Sequence, residues 1–298
     1  MTDPGRPDGG LPSDARRLST DGTLRTLGTL RTLRTLALRD LKVVSRSRAV
    51  VLPMLIVPLI FLVIIPAAVG IFAPQMAAAG EVEDLAQFLE MMPAPMRQAF
   101  EGYDEAQILV VVLLEHLFAP MFLIIPLMVA STIAAGSFVG EKERKTLEAL
   151  LHTPTTDTEL FVGKLLASWV PAFLVGLGGF LLYAVVVNVS TWPVMGRVFF
   201  PSAMWVALVL WLAPAAAGVG LGVIILISSR VSTFQDAYQL SGLVVIPVLL
   251  LVFGQIAGVL YLNVLAVMLL GLLLWLVDAA ILWYGIRTFR RSEIIARL

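Results

Sequence analysis

Three ionisable side chains stand inside long apolar stretches and are the first candidates for chemistry. Glu115 and His116 interrupt the stretch 107–136, and Asp278 interrupts the stretch 263–286. An ionisable group within a membrane helix costs about 2.5–3.5 kcal/mol on insertion scales, so it usually faces a bundle interior or water. Such groups can relay protons or ions, contact a substrate, or form hydrogen bonds that hold or gate the bundle. Adjacent helical residues point in different directions, so Glu115 and His116 cannot share one face, and hydrogen bonding is the favoured interpretation.

Motifs for hydrolysis or nucleotide binding are missing from the sequence. It contains no cysteine, two histidines and no HExxH motif, which argues against thiolate catalysis and zinc hydrolysis. The pair Gly163-Lys164 looks like the end of a phosphate-binding loop. That loop, GxxxxGK[ST], requires Gly at 158 and Ser or Thr at 165, where the chain has Thr158 and Leu165. We therefore expect no enzyme activity, bound metal or cofactor in this chain, and any energy from ATP must come through another polypeptide.

A short charged segment, GEKERKTLEALLHTPTTDTELFVGKLL at 140–166, separates two apolar stretches. Its charges and leucines have helical spacing: Glu141 with Lys145, Arg144 with Glu148, and a stripe of Leu147, Leu150 and Leu151. Oppositely charged residues four apart stabilise a helix in water. Pro154 ends this helix because it disfavours helical geometry at the preceding residue, and Thr156 with Glu159 resembles a capping box that starts the next helix. The spacing fits either a solvated loop or a helix presented to a partner.

The composition indicates that lipid surrounds the elements that position these residues. Hydrophobic residues make up 59% of the 298, charged residues 14%, and the mean hydropathy is +0.92, whereas soluble domains are about 45–50% apolar and about 25% charged. Six stretches are long enough to cross a bilayer as helices: about 50–73, 107–136, 165–189, 203–227, 239–258 and 263–286. These runs lack the alternation of a membrane barrel, so the predicted fold is an all-α integral membrane protein.

The distribution of Lys and Arg predicts the orientation of the spans. Ten precede the first span, four lie in 137–164, one is Arg230 and four follow residue 286, whereas the alternate loops hold only Arg97 and Arg197. By the positive-inside rule, both termini and the charged segment are predicted to be cytoplasmic, and the protein to lie in the cell membrane. The loop 74–106 is predicted to be external, with two short helices on the outer surface.

Small and aromatic residues add three expectations about packing. Gly254 and Gly258 should ease a tight hairpin between the last two spans, and Trp205 should lie near the outer membrane interface. The glycine-rich runs 176–179 and 218–222 fit both close helix packing and a bendable pathway lining.

The chain before the first span divides into two parts. Residues 1–22 are rich in Gly, Pro, Asp and Ser and are predicted to be a disordered cytoplasmic tail. Residues 23–48 combine helically spaced leucines with arginines, which is typical of an amphipathic helix on the lipids of the inner leaflet; a low-complexity spacer is the alternative. No nucleic-acid partner is expected so close to lipid. The first apolar run is too long for a cleavable signal, and the six-span domain is assigned to 49–298.

Several motifs together resemble a known family. The sequence GEKERKTLEALLHTP at 140–154 contains a Gly-Glu start, a TLE-x-LL core and a TP turn, and ELFVGKLLA at 159–167 contains a GK-L entry into the third span. ISSRVSTFQDAYQLSGLVVIPVLLL at 227–251 and the basic end FRRSEIIARL complete the pattern. Over nearly the whole chain it resembles the type-2 ABC transporter permeases, the membrane subunits of ABC exporters.

The resemblance implies that the charged segment is a coupling helix which docks on a cytoplasmic ABC ATPase. The implied coupling residues are Glu141, Glu143, Arg144, Leu147, Glu148 and Leu151, with Gly163 and Lys164 leading into the third span. ATP and magnesium would be bound by the ATPase, and a second copy or a related permease would complete the exporter of an unidentified substrate. Glu115, His116 and Asp278 remain candidates for the pathway or for gating.

Two other classes of protein are alternatives to this family. An ion- or proton-coupled secondary transporter usually contains internal repeats with broken helices at matching positions, and an intramembrane enzyme needs a convergent catalytic set. Neither feature is visible in the sequence.

Overall fold

The computed structural model describes residues 55–79, 97, 100–140, 143, 157–228 and 230–288. Over these ranges the chain is helical without strands, and six helices are long and apolar enough to cross a membrane. They are span one (Leu55–Ala78), span two (Glu105–Gly140), span three (Phe161–Ser190), span four (Ala203–Ser228), span five (Phe234–Ile256) and span six (Val264–Gly285). The predicted all-α fold with six spans is confirmed. The predictions for 1–22 and 23–48, and most of those for 74–106 and 141–156, lie outside the described residues.

Two spans extend five residues beyond a predicted boundary. Span one continues to Ala78 with Pro74 inside the helix, so the first residues of the predicted external loop are helical. Span five begins at Phe234, five residues earlier than predicted, because Thr233 caps it: the Thr233 hydroxyl accepts a hydrogen bond from the Asp236 amide at 3.1 Å. The helix that contains span three begins at Asp157, close to the predicted capping box.

Spans two and four form the centre of the bundle and are the most buried of the six. Glycines of span four allow close packing: a Cβ atom at Gly220 would lie 2.8 Å from Ser131 Oγ of span two, and one at Gly222 would lie 2.9 Å from Ile281 Cδ1 of span six. Small residues serve this purpose where helices meet in lipid. The run 218–222 is therefore a packing surface.

An aromatic cluster fills the half of the bundle that is predicted to face outward. Trp205 is fully buried and stacks on Tyr183 with ring centroids 5.0 Å apart, while Phe200 meets it edge-on at 4.9 Å. Trp205 lies near the start of span four, at the end predicted to be external, and it faces the bundle interior rather than lipid. Its indole N–H needs an acceptor when buried, and it finds one in the Glu115 carbonyl at 2.8 Å.

Spans five and six form the predicted tight hairpin. Gly258 has a φ of 69°, which favours glycine. The Gly254 carbonyl accepts hydrogen bonds from the amides of Val259 and Leu260, at 2.9 and 3.0 Å. The chain reverses within a few residues, and span six returns along span four.

Four segments of the spans have π-helical backbone, in which hydrogen bonds join residues five apart and the turn is wider. They are Ile60–Ile64, Val111–Leu117, Gly136–Gly140 and Leu208–Leu212. Two of them, in span two, carry groups of the candidate site.

Candidate functional site

The charged segment connects the end of span two to the start of span three. We call the part of the bundle formed by these two ends the predicted cytoplasmic end. Of the implied coupling residues, the structure describes Glu143, Gly163 and Lys164. The other five, Glu141, Arg144, Leu147, Glu148 and Leu151, lie outside the described residues.

Lys164 joins the beginning of span three to the end of span two. Its side chain is 2% exposed, and its ammonium donates a hydrogen bond to the Ser137 carbonyl at 2.9 Å. The ammonium also lies 5.4 Å from the centroid of the Phe138 ring, within reach of a cation–π contact. Gly163 beside it is also buried. A buried cation needs such partners to offset lost hydration, so Lys164 is an anchor inside the bundle.

Glu143 joins the charged segment to span five. One carboxylate oxygen accepts a hydrogen bond from the Phe234 amide at 2.8 Å. Phe234 is the first residue of its helix, and the first amides of a helix have no partner within it. A negative charge is also favourable beside the positive end of the helix dipole. The family resemblance implies that Glu143 contacts an ATPase, and the structure adds a partner within its own chain.

The first turns of span five pack against spans two and four near the predicted cytoplasmic end. Ala237 is fully buried, and it shares an apolar cluster with Val139 of span two and Leu221 of span four. Phe234 packs against the same cluster. The beginning of span five thus contacts spans two and four, and its first amide is bonded to Glu143.

Asp278 belongs to span six and faces span four. It is 5% exposed, and its carboxylate lies directly against Gly218. Among the described residues neither carboxylate oxygen has a hydrogen-bond partner. The side chain faces the bundle interior, as expected for an ionisable group in a span.

Glu115 and His116 lie in the π-helical segment Val111–Leu117 of span two. The Glu115 side chain is half-buried, while its carbonyl accepts the Trp205 hydrogen bond described above. The His116 ring lies between Phe100 and Tyr261, at centroid distances of 6.2 and 6.1 Å. Among the described residues no hydrogen bond joins Glu115, His116 and Asp278, so they do not form one polar site.

Sequence reasoning did not identify Ser137, Thr233 or Phe234 as parts of this site. Thr233 and Asp236 do carry a signal, since a Thr followed three residues later by an acidic residue, before an apolar run, is typical of a helix start. Nothing in the sequence marks the Ser137 carbonyl as the acceptor of the Lys164 ammonium.

Comparison with known proteins gives a family match. A family model described as "ABC-2 family transporter protein" matches residues 34–282, which include the charged segment, spans one to five and all but the last three residues of span six. Searches of curated proteins and of solved structures returned no significant match. The match covers well over half of the chain and agrees with the six-helix bundle. The chain therefore belongs to the ABC-2 family of transporter proteins, as a multi-pass membrane permease.

Proposed function

We propose that this permease is the membrane subunit of an ATP-driven exporter and works with a separate cytoplasmic ABC ATPase. Family membership supports the transporter class. The observation that carries the coupling role is the attachment of the charged segment: Lys164 fixes its return to span two, and Glu143 holds span five. A short segment tied to three spans can transmit a push from a partner into the bundle.

The mechanism follows from these attachments. The ATPase binds ATP and magnesium and closes around them, and its surface moves the segment that includes Glu141, Glu143, Arg144, Leu147, Glu148 and Leu151. Packed helices respond by discrete shifts because close packing resists continuous deformation. The bundle then changes between an inward-facing and an outward-facing form, and ATP binding shifts the population between them.

Two permease chains, identical or related, would form one transporter with two ATPases. Both termini would lie in the cytoplasm of a cell whose plasma membrane holds the protein, and residues 23–48 would lie on the inner leaflet. In this arrangement Asp278 and Glu115 support the interface between helices or its gating, and the chain itself has no enzyme activity.

The experiment is co-expression of the tagged permease with a candidate ABC ATPase subunit, followed by purification and reconstitution in liposomes. We expect the ATPase to co-purify and to hydrolyse ATP at a rate that differs from that of the ATPase alone. An ATPase whose phosphate-binding lysine is replaced is the control, and it should bind but not hydrolyse. A permease that binds no ATPase and moves solutes in response to a proton gradient would contradict the proposal.

A further inference from the structure

We propose that Glu143 is a positioning residue which links the ATPase-facing segment to span five by holding the first amide of that span. This inference rests on the proposed function, because the motion to be transmitted is supplied by an ATPase. It concerns the route of that motion within the permease.

The first turn of span five has two acceptors with separate tasks. The Thr233 hydroxyl accepts from the Asp236 amide at 3.1 Å, and the Glu143 carboxylate accepts from the Phe234 amide at 2.8 Å. Thr233 is local and sets the start of the helix. Glu143 is 91 residues away in the chain, so its bond joins two elements rather than completing one.

The helical structure of span five can transmit a displacement of its first turn to the rest of the span. From Phe234 it runs through a helix to Ser241, a 3-10 turn at Gly242–Val245 and a second helix to Ile256. A 3-10 turn within a longer helix is a frequent place for a hinge. A displacement of the Phe234 amide would therefore move a continuous helical span that has a hinge at Gly242–Val245.

The two attachments of the charged segment differ in exposure. The Lys164 bond to Ser137 is buried, and breaking it would strand a cation in an apolar setting. The Glu143 carboxylate is exposed, and water can replace its partner at small cost. Lys164 is thus the fixed attachment, and the Glu143 bond is the one that can form and break during a transport cycle.

The test separates the hydrogen bond from other effects of substitution. Glu143→Ala removes the acceptor, whereas Glu143→Gln keeps an acceptor oxygen. Phe234→Pro removes the donor amide at the first helical position, where proline is tolerated, and Thr233 already has the extended geometry (φ −117°, ψ 151°) that proline requires before it. Phe234→Ala is its control, because it loses the same ring but keeps the amide.

The readout needs no knowledge of the substrate. The chain has no cysteine, so a single cysteine at Val259, which is 84% exposed beyond the far end of span five, can carry an environment-sensitive fluorophore. The signal is its fluorescence change when the permease–ATPase complex is trapped with ATP and vanadate. ATPase recovery on the tagged permease is measured in parallel.

We expect Glu143→Ala and Phe234→Pro to lower the trapped-state signal about five- to tenfold, in keeping with the loss of one exposed hydrogen bond. Glu143→Gln and Phe234→Ala should stay within about twofold of the parent. The double variant Glu143→Ala/Phe234→Pro should be no worse than either single one, since both remove the same bond. ATPase recovery should be unchanged in all of them.

Three results would overturn the inference. One is a full trapped-state signal in Glu143→Ala. Another is loss of the ATPase itself from Glu143→Ala, which would make Glu143 a docking residue. The third is additive loss in the double variant. Should Phe234→Pro fail to fold, the comparison of Ala with Gln at position 143 decides the matter. Failure of the parent permease to bind any ATPase would instead contradict the proposed function.

Discussion

The carboxylate of Asp278 in span six lies against the backbone of Gly218 in span four. A Cβ atom built on Gly218 would lie 2.7 Å from the Asp278 carboxyl carbon, too close for any real side chain. The two spans can approach to this distance only because position 218 has no side chain. The pair therefore sets how closely the last span packs on the centre of the bundle.

We expect Gly218→Ala to lower the free energy of unfolding by about 1–3 kcal/mol, because the added methyl group forces apart a packed interface. The measurement is loss of the monodisperse peak in size-exclusion chromatography after heating in detergent. Gly178→Ala is the control: this exposed glycine of span three has no other atom within 4 Å of a built Cβ, and alanine there should be neutral or stabilising by up to about 1 kcal/mol. Equal behaviour of the two variants would contradict the packing role of Gly218.

Asp278→Asn and Glu115→Gln should each leave insertion, assembly and coupled ATP hydrolysis intact. Neutralising a carboxylate within a span removes a desolvation cost, and the hydrogen bond at position 115 uses the backbone carbonyl, which the substitution retains. The measurements are the yield of the assembled complex and ATP hydrolysis in liposomes. Complete loss of transport in a normally assembled complex would place that residue in the pathway.

Lys164→Met should destabilise the predicted cytoplasmic end. It removes a buried charge-assisted hydrogen bond and leaves the Ser137 carbonyl without that donor, at an expected cost of about 1.5–3 kcal/mol. The same heating experiment in detergent measures it. Arg230→Met, which removes an exposed cation at the same end, is the control and should change stability by less than about 0.5 kcal/mol. A Lys164→Met protein as stable as the parent would show that the anchor is dispensable.

Leu147→Asp should leave the permease folded and inserted but weaken ATPase docking, because it places a charge in an apolar contact that excludes water. Reversing Glu143 and Arg144 together should weaken docking less, and through the changed charge at Arg144, since exposed charge pairs are often worth less than about 1 kcal/mol. Ala149→Asp, on the opposite side of the predicted helix from the leucine stripe, is the control and should dock normally. The measurement is ATPase recovered with the tagged permease. Full recovery in both test variants would show that the segment is only a solvated loop.

Cysteine accessibility tests the orientation. Single cysteines at Ser13, Thr155, Ser232 and Ser292 should react only from the cytoplasmic side, and those at Gln87, Gly196 and Val198 only from outside. The motivation is the near-complete segregation of Lys and Arg between alternate segments. A membrane-impermeant maleimide on intact cells, followed by permeabilisation, makes the measurement. External labelling at Thr155 would overturn the predicted topology.

Hydropathy predicts the spans of this protein well because the constraint is local: in lipid each span must satisfy its own backbone, whatever its neighbours do. Boundaries depend on capping, and the start of span five is predictable only when the Thr233–Asp236 pair is included. Tertiary contacts are what the sequence does not predict. Trp205 has the chemistry of a belt residue, and only the carbonyl of Glu115, from another span, shows why it is buried.

The candidate site likewise contains residues that the sequence predicts and partners that it does not. The family resemblance of the charged segment points to Glu143 and Lys164. Their partners are a backbone carbonyl at Ser137 and a backbone amide at Phe234, and every residue offers such groups, so no pattern of side chains can identify them.

The π-helical segments have a consequence for how the lengths of related permeases vary. A turn closed between residues five apart holds one residue more than an α-turn, so removing one residue from Val111–Leu117 can restore regular α-helix without changing which face of span two the flanking residues occupy. Elsewhere in a span, the same deletion would rotate everything beyond it by about 100°. The wide turns are thus places where evolution can insert or delete a single residue in a membrane helix, and sequence alignments of such permeases should open their one-residue gaps there.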